Sequence, residues 1–169
     1  MLDKNLLLVD IGGTNIRYAY SNIGDSDFVS ENKAELDSLN DFYNLMSELL
    51  AEADVKNIVF SVAGPKVNNS IKMTNRNFEI DAHEIRKRFN LESCYLLNDW
   101  ESIGYSIRTF AENDFDTFRE GEPFNDTFLV IGPGTGLGAS VISGNNVIAT
   151  EIGNTNFCLL YTSDAADES

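Results

Sequence analysis

The sequence predicts an α/β protein whose three-stranded opening is followed by alternating helices and strands, and then begins again. Three observations predict it. Two Gly-rich segments, DIGGT at residues 10–14 and GPGTGLG at residues 132–138, each join one apolar run to another, as turns between strands do. Between them the apolar spacing changes from the strand period to the helical one and back. Beyond residue 127 the opening pattern of strand, Gly-rich turn and strand returns.

The elements follow in order. NLLLVDIGG reads as a buried strand entering a tight turn, TNIRYAYS as the strand returning from it, and DFVSENK as a third strand at an edge. From Ser38 the apolar residues Leu39, Phe42, Tyr43, Met46, Leu49 and Leu50 form one helical stripe. NIVFSVAG is a strand ending in a Gly-Pro turn. Asp81 and Glu84 make the D-x-x-E start of a helix that carries Ile85 and Phe89 on one face. CYLLN is the next strand, and DWESIGYSIRTF a helix with Trp100, Ile103, Ile107 and Phe110 inward. Residues 112–127 are polar and acidic, with Gly121 and Pro123, and read as a linker or hinge. FLVIGPGTGLGASVISGNNVIAT then gives two strands and a GNN hairpin turn. The expected organisation is a small α/β domain over residues 1–111, a linker over 112–127 and the start of a second domain over 128–157.

Composition narrows the function classes. A formal net charge of −15 argues against nucleic acid as a partner, because phosphate backbones are held by clustered Lys and Arg. The run Leu6 to Val9 is too short for a signal-peptide core, and no stretch reaches the ~20 apolar residues of a membrane span. Cys94 and Cys158 give neither zinc spacing nor a disulfide framework. A single histidine, His83, leaves no room for a His-dependent triad or a His-rich metal site; it follows a helix start and is expected to face solvent. A cytoplasmic protein without membrane attachment is the expectation.

The chemistry is expected at the two glycine turns and one strand end. Glycine lets backbone N–H groups approach an anion with no Cβ in the way, and Thr14 and Thr135 add hydroxyl donors. Asp10, closing the first strand, suits a hydrated Mg²⁺ beside a phosphate. Neither segment is a Walker A loop or a GxGxxG turn feeding a helix. Either turn alone is also what a plain hairpin would show; the pair suggests two hairpins on one polyphosphate. Asn98 and Asp99 stand where a strand ends and a helix begins, the place at which α/β folds present ligands. Plain structural roles exist for both: a helix cap for Asp99 and a satisfied strand-end amide for Asn98.

These features resemble the sugar-kinase, hexokinase and actin-like ATPase superfamily, and within it the bacterial glucokinase family. LVDIGGTNIRYAY resembles that family's first phosphate motif, AGPKVNNSIKMTNRNFEID its A-G/C-P…MTN stretch, LLNDW its I-N-D-F and GPGTGLG its second phosphate loop. EIGNTNF resembles its sugar-binding E-G-G-H-x-x-F. The resemblance covers roughly residues 5–157 and implies a ribonuclease H-like (actin-like ATPase) βββαβα fold. On that fold this chain would hold a near-complete first domain and the first strands of a truncated second. It implies an ATP-dependent hexose kinase acting on the 6-hydroxyl of D-glucose in glycolysis, with Mg²⁺ held through water at Asp10. Asp10, Gly12, Gly13, Thr14, Asn15, Gly132, Gly134, Thr135 and Gly136 would take the phosphates. Asn98, Asp99, Glu151 and Asn154 would take the sugar, with Asp99 the catalytic base. Phe78 stands where the family usually has tryptophan and Asn154 where histidine is common, which leaves the hexose preference open. The alternatives are a kinase for another hexose or N-acetylhexosamine, a sugar-responsive regulator without catalysis, or a generic nucleotide-binding fragment. The full-length protein is expected to be a homodimer.

After Phe157 the sequence CLLYTSDAADES resembles one reading frame of a common transposase-type sequencing adapter, matched consecutively from Cys158 to Glu168. Residues 158–169 are therefore expected to be a non-native extension, and the fragment on its own to be inactive.

Overall fold

A computed structural model describes residues 2–12, 15–73, 79–122, 124–133, 137–150 and 152. Two compact units divide the chain, Met1–Asp99 and Trp100–Ser169.

The first unit is built on a five-stranded mixed sheet. Its strands are β1 (Leu6–Ile11), β2 (Asn15–Ser21), β3 (Val29–Glu35), β4 (Asn57–Val62) and, further along the chain, a strand over Ser93–Asn98. β2 runs antiparallel to β1 and to β3, which forms the edge, while β1, β4 and the Ser93–Asn98 strand are parallel. Alternation along each strand sends Leu7, Val9, Ile11, Ile58, Phe60, Val62 and Leu96 to one face, and all of them are buried. Against this face packs α1 (Leu39–Glu52), which offers Phe42, Met46 and Leu49 at helical spacing. Ser38 caps the helix, its Oγ accepting from the Asp41 N–H. The Tyr20 hydroxyl reaches across from β2 to the Leu49 carbonyl and the Glu52 carboxylate, both at 3.0 Å. Burial first, and then the Glu52 carboxylate, hold this phenol well above its ordinary range.

A small antiparallel sheet branches off after β4: β5 (Lys66–Val67), β6 (Ser70–Lys72) and β7 (Glu79–Asp81). Its β5–β6 turn is Asn68-Asn69, both at positive φ (51° and 61°), the backbone that a two-residue hairpin of the right twist demands and that asparagine tolerates. The Asn69 side chain in turn accepts from the Leu96 N–H, tying the hairpin to the outer strand of the large sheet. Asp81 caps α2 (Ala82–Arg88), accepting from the N–H groups of His83 and Glu84, as the D-x-x-E pattern predicts. His83 is exposed. β8 (Ser93–Asn98) completes the sheet. Cys94 on it is buried, and burial pushes its thiol up to about 12, so it behaves as a small apolar residue.

The second unit holds α3 and a three-stranded antiparallel sheet. α3 (Asp99–Ser106) begins on the last residue of the first unit. A 3₁₀ turn over Ile107–Thr109 follows, and the acidic segment after it is largely exposed. β9 (Thr127–Pro133), β10 (Leu137–Ser143) and β11 (Asn146–Thr150) form a meander. Gly144, at φ +54°, supplies the left-handed residue of the β10–β11 turn.

The inward face of α3 differs from expectation. Ile103 and Phe110 are exposed, and Phe110 lies beyond the helix; the buried positions are Glu101 and Gly104. Packing chose the side that allows close approach: a Cβ at Gly104 would lie 2.5 Å from Val147 Cγ1 and 2.8 Å from Ser140 Oγ. Trp100, four residues before Gly104, lies on the same side and faces the sheet as expected. Among the described residues no helix is long and apolar enough to cross a membrane.

Candidate active site

The candidate residues Asp10, Gly12, Asn98 and Asp99 lie at or next to the carboxyl ends of β1 and β8. Ile11, Val62 and Asn98 stand in one row across β1, β4 and β8. The first glycine turn, the Gly64-Pro65 turn and the start of α3 all leave the sheet at this edge. Such an edge is where α/β sheets bind ligands, because helix N-termini and strand-end loops converge there.

Each turn has a local reason. The Gly12 N–H donates to the Asn15 carbonyl at 3.0 Å, closing the β1–β2 hairpin, and the Ala63 N–H donates to the Ile11 carbonyl. Gly64 sits at φ +145°, and a Cβ there would come 2.8 Å from the Lys72 carbonyl oxygen, so only glycine passes this point. The Gly64 carbonyl is thereby held in place to accept a hydrogen bond from Asn98 Nδ2 at 3.0 Å. Asn98 is 3% exposed. Its amide thus fastens the end of β8 to the Gly-Pro turn.

Asp99 is half-buried and is the first residue of α3, where the positive end of the helix favours an anion. Asp10 is exposed. In the register of the sheet it falls on the face opposite Asn98, beside Arg17 of β2 and Ser61 of β4. Among the described residues no group of three or more His, Cys, Asp or Glu side chains could cage a metal. A single exposed carboxylate fits the way Mg²⁺ is usually held beside nucleotides, by one or two carboxylates with water and phosphate oxygens.

In the second unit Gly132 on β9 and Gly138 on β10 are cross-strand partners. Neither is at positive φ. The reason for both is the Trp100 ring: a Cβ on Gly132 would enter its six-membered part, and one on Gly138 its Nε1 side. Sequence reasoning took these glycines only as room for an anion; the signal for the second role is that they flank the motif symmetrically, three residues from its centre at Thr135. Gly64 likewise escaped, its Gly-Pro pair reading as a generic turn. Gly13, Thr14, Gly134, Thr135, Gly136, Glu151, Asn154 and Phe78 lie outside the described residues, as do the MTN stretch beyond Met73 and the adapter-like tail.

A family model described as Glucokinase matches residues 7–166, a span that reaches into the tail. A glucokinase from Nostoc punctiforme is 31% identical over 163 residues, covering 90% of this chain and 48% of the relative. One from Colwellia psychrerythraea is 32% identical over 164 residues, covering 89% and 48%. The chain therefore spans about half the length of the curated relatives it matches. A crystal structure of a glucokinase from an Antarctic psychrotroph superposes with a TM-score of 0.73 at 24% identity, over 92% of this chain and 52% of that one. A ROK-family glucokinase from Streptomyces griseus, solved with glucose and AMPPNP, superposes at 0.62 with 20% identity over 85% and 46%. These two likenesses show a shared fold.

Proposed function

This chain belongs to the glucokinase family, and from that premise we propose that the whole protein transfers the γ-phosphoryl group of ATP to the 6-hydroxyl of D-glucose. The observation that carries the reading is the Asn98-Asp99 pair at the carboxyl end of β8, in line with the ends of β1 and β4. On this reading the first unit is a ribonuclease H-like domain of the actin-like ATPase type, and the β9–β11 sheet begins its second copy. Residues 112–127 would act as the hinge. The reaction belongs where ATP is supplied, in the cytoplasm.

Asp99 acts as the base. Its carboxylate takes the proton from the sugar O6 as the new O6–P bond forms and the bond to the bridging oxygen of ADP breaks. In so loose a transfer the protein's work is mainly to position the nucleophile and spread charge, so a carboxylate fixed on a helix start suits it. Asn98 holds the strand end that aims Asp99 and, with Glu151 and Asn154, binds sugar hydroxyls. Backbone groups of residues 12–15 and 132–136 cradle the phosphates. Asp10 is the residue that would hold Mg²⁺ through water, and the ion would neutralise charge on the β- and γ-phosphates.

The test is a coupled assay of the full-length protein carrying this segment, with glucose, mannose, glucosamine and N-acetylglucosamine as acceptors. Glucose should give the highest kcat/KM. Asp99→Asn should lower kcat by about 10³-fold or more while the sugar still binds in calorimetry. A variant that keeps near-normal turnover removes Asp99 from the role of base.

A further inference from the structure

We propose that Trp100 is a positioning residue for the second phosphate hairpin, fixing the ends of β9 and β10 at Gly132 and Gly138. The inference rests on the kinase reading and deepens it. Three features converge within the second unit. Gly132 and Gly138 are direct partners on β9 and β10, so they share one face of the hairpin, next to where its strands meet the turn. The Trp100 indole lies across both, its six-membered ring over Gly132 and its Nε1 side over Gly138, at a separation that excludes any side chain on either glycine. Four residues further along α3, Gly104 makes the second close approach, to Ser140 of β10 and Val147 of β11.

Ser140 and Gly138 are two residues apart on β10 and share a face, just as Trp100 and Gly104 share a side of the helix. The helix therefore meets the sheet along one line, with the large residue at the turn end and the small one in the middle. A rigid aromatic plate over two glycines leaves the hairpin little freedom to tilt or open. The two strand ends that carry the turn are thereby held by one side chain, Trp100.

The test uses Trp100→Phe, Trp100→Ala and Gly138→Ala in the full-length enzyme. Trp100→Ala should raise KM for ATP about tenfold or more and leave KM for glucose within about twofold; Trp100→Phe should restore most of the loss. Gly138→Ala, which pushes the ring away, should copy Trp100→Ala, and the double variant should be no worse than either single one, as coupled neighbours are. An unchanged ATP KM in Trp100→Ala, with an active parent enzyme, overturns the inference and leaves the kinase reading intact. If the parent enzyme phosphorylates no sugar, the kinase reading falls instead, and hydrogen exchange on the 169-residue chain decides the positioning claim. There Trp100→Ala and Gly138→Ala should each speed amide exchange across residues 132–138 by about tenfold or more, with β11 little changed. Exchange equal to that of the parent overturns the claim.

Discussion

The two sheets of this chain differ in what covers them. In the first unit the face of β1 and β4 that carries Leu7, Ile58 and Phe60 is sealed by α1, and these three side chains are fully buried. In the second unit α3 covers one face of the β9–β11 meander, burying Ser140 and Ile142. The reverse face presents Leu129, Ile131 and Ile148, each more than half exposed. Between them Ala139 of β10, on the same face, is buried, so the exposed apolar side chains lie on the two outer strands of the sheet. The lesson is that the two sheets are packed to different degrees: the first buries its apolar face under α1, while the second, among the described residues, keeps large apolar side chains at its surface.

The comparison can be broken most forcefully at Phe60. It is fully buried on β4 and packs its ring 5.9 Å from that of Phe42. Phe60→Ala removes an aromatic side chain from a dense core and should cost about 3–5 kcal/mol, since the cavity left behind cannot collapse fully. Chemical denaturation of the 169-residue chain followed by circular dichroism measures it. A loss below about 1 kcal/mol would mean that the first unit is no better packed than the second.

Tyr20 sharpens the same contrast at a smaller scale. Tyr20→Phe keeps the ring and removes only the hydroxyl that links β2 to the end of α1. The expected loss is about 1.5 kcal/mol, because one of its acceptors is the Glu52 carboxylate. The phenol's raised pKa fixes the pH dependence. The folded state favours the neutral phenol, so the contribution is fully present below the ordinary value of 10.0 and fades only as pH rises toward the folded value. The stability difference between the parent and the Tyr20→Phe variant should therefore stay constant from about pH 6 to 9 in urea titrations. A difference that shrinks across that range contradicts the assigned bond.

Much of this fold was legible from residues, and the exceptions have identifiable physics. The α1 stripe and its Ser38 start were readable because one apolar side meets one sheet and a polar cap ends it. The β1–β2 hairpin and the parallel β4 and β8 strands showed as apolar runs with clear stops. The β5–β7 branch did not, because strands of two or three residues are too short for alternation to register. Its one clue was Asn68-Asn69. α3 misled because its apolar residues form a plausible stripe, while the helix was turned by backbone proximity at Gly104. A glycine contributes nothing to an apolar pattern, yet it can decide which side faces in. At the candidate site, Asp99 and Asn98 were readable from their place at a strand end. The fastening of Asn98 to Gly64 was not, since it joins residues far apart in sequence.

The smallest effect carries the sharpest comparison. Ile131 stands on the reverse face of β9, opposite Ala139 and away from Trp100. Ile131→Lys puts a charge where a buried position would lose several kcal/mol, as an unpaired buried ammonium must. On an open face the same change should alter the stability of the chain by no more than about 0.5 kcal/mol. It should also reduce both the binding of an apolar dye and self-association in light scattering, because the patch is broken by a solvated group. A destabilisation above about 1.5 kcal/mol would show that this face is covered in the chain as it stands, and the contrast between the two sheets would disappear. Unchanged stability with unchanged association would move the sticky surface elsewhere, to the exposed Phe118 and Phe124 of the acidic segment. Stability and association thus separate the two properties that an exposed isoleucine confounds: whether the fold needs it, and whether something else does.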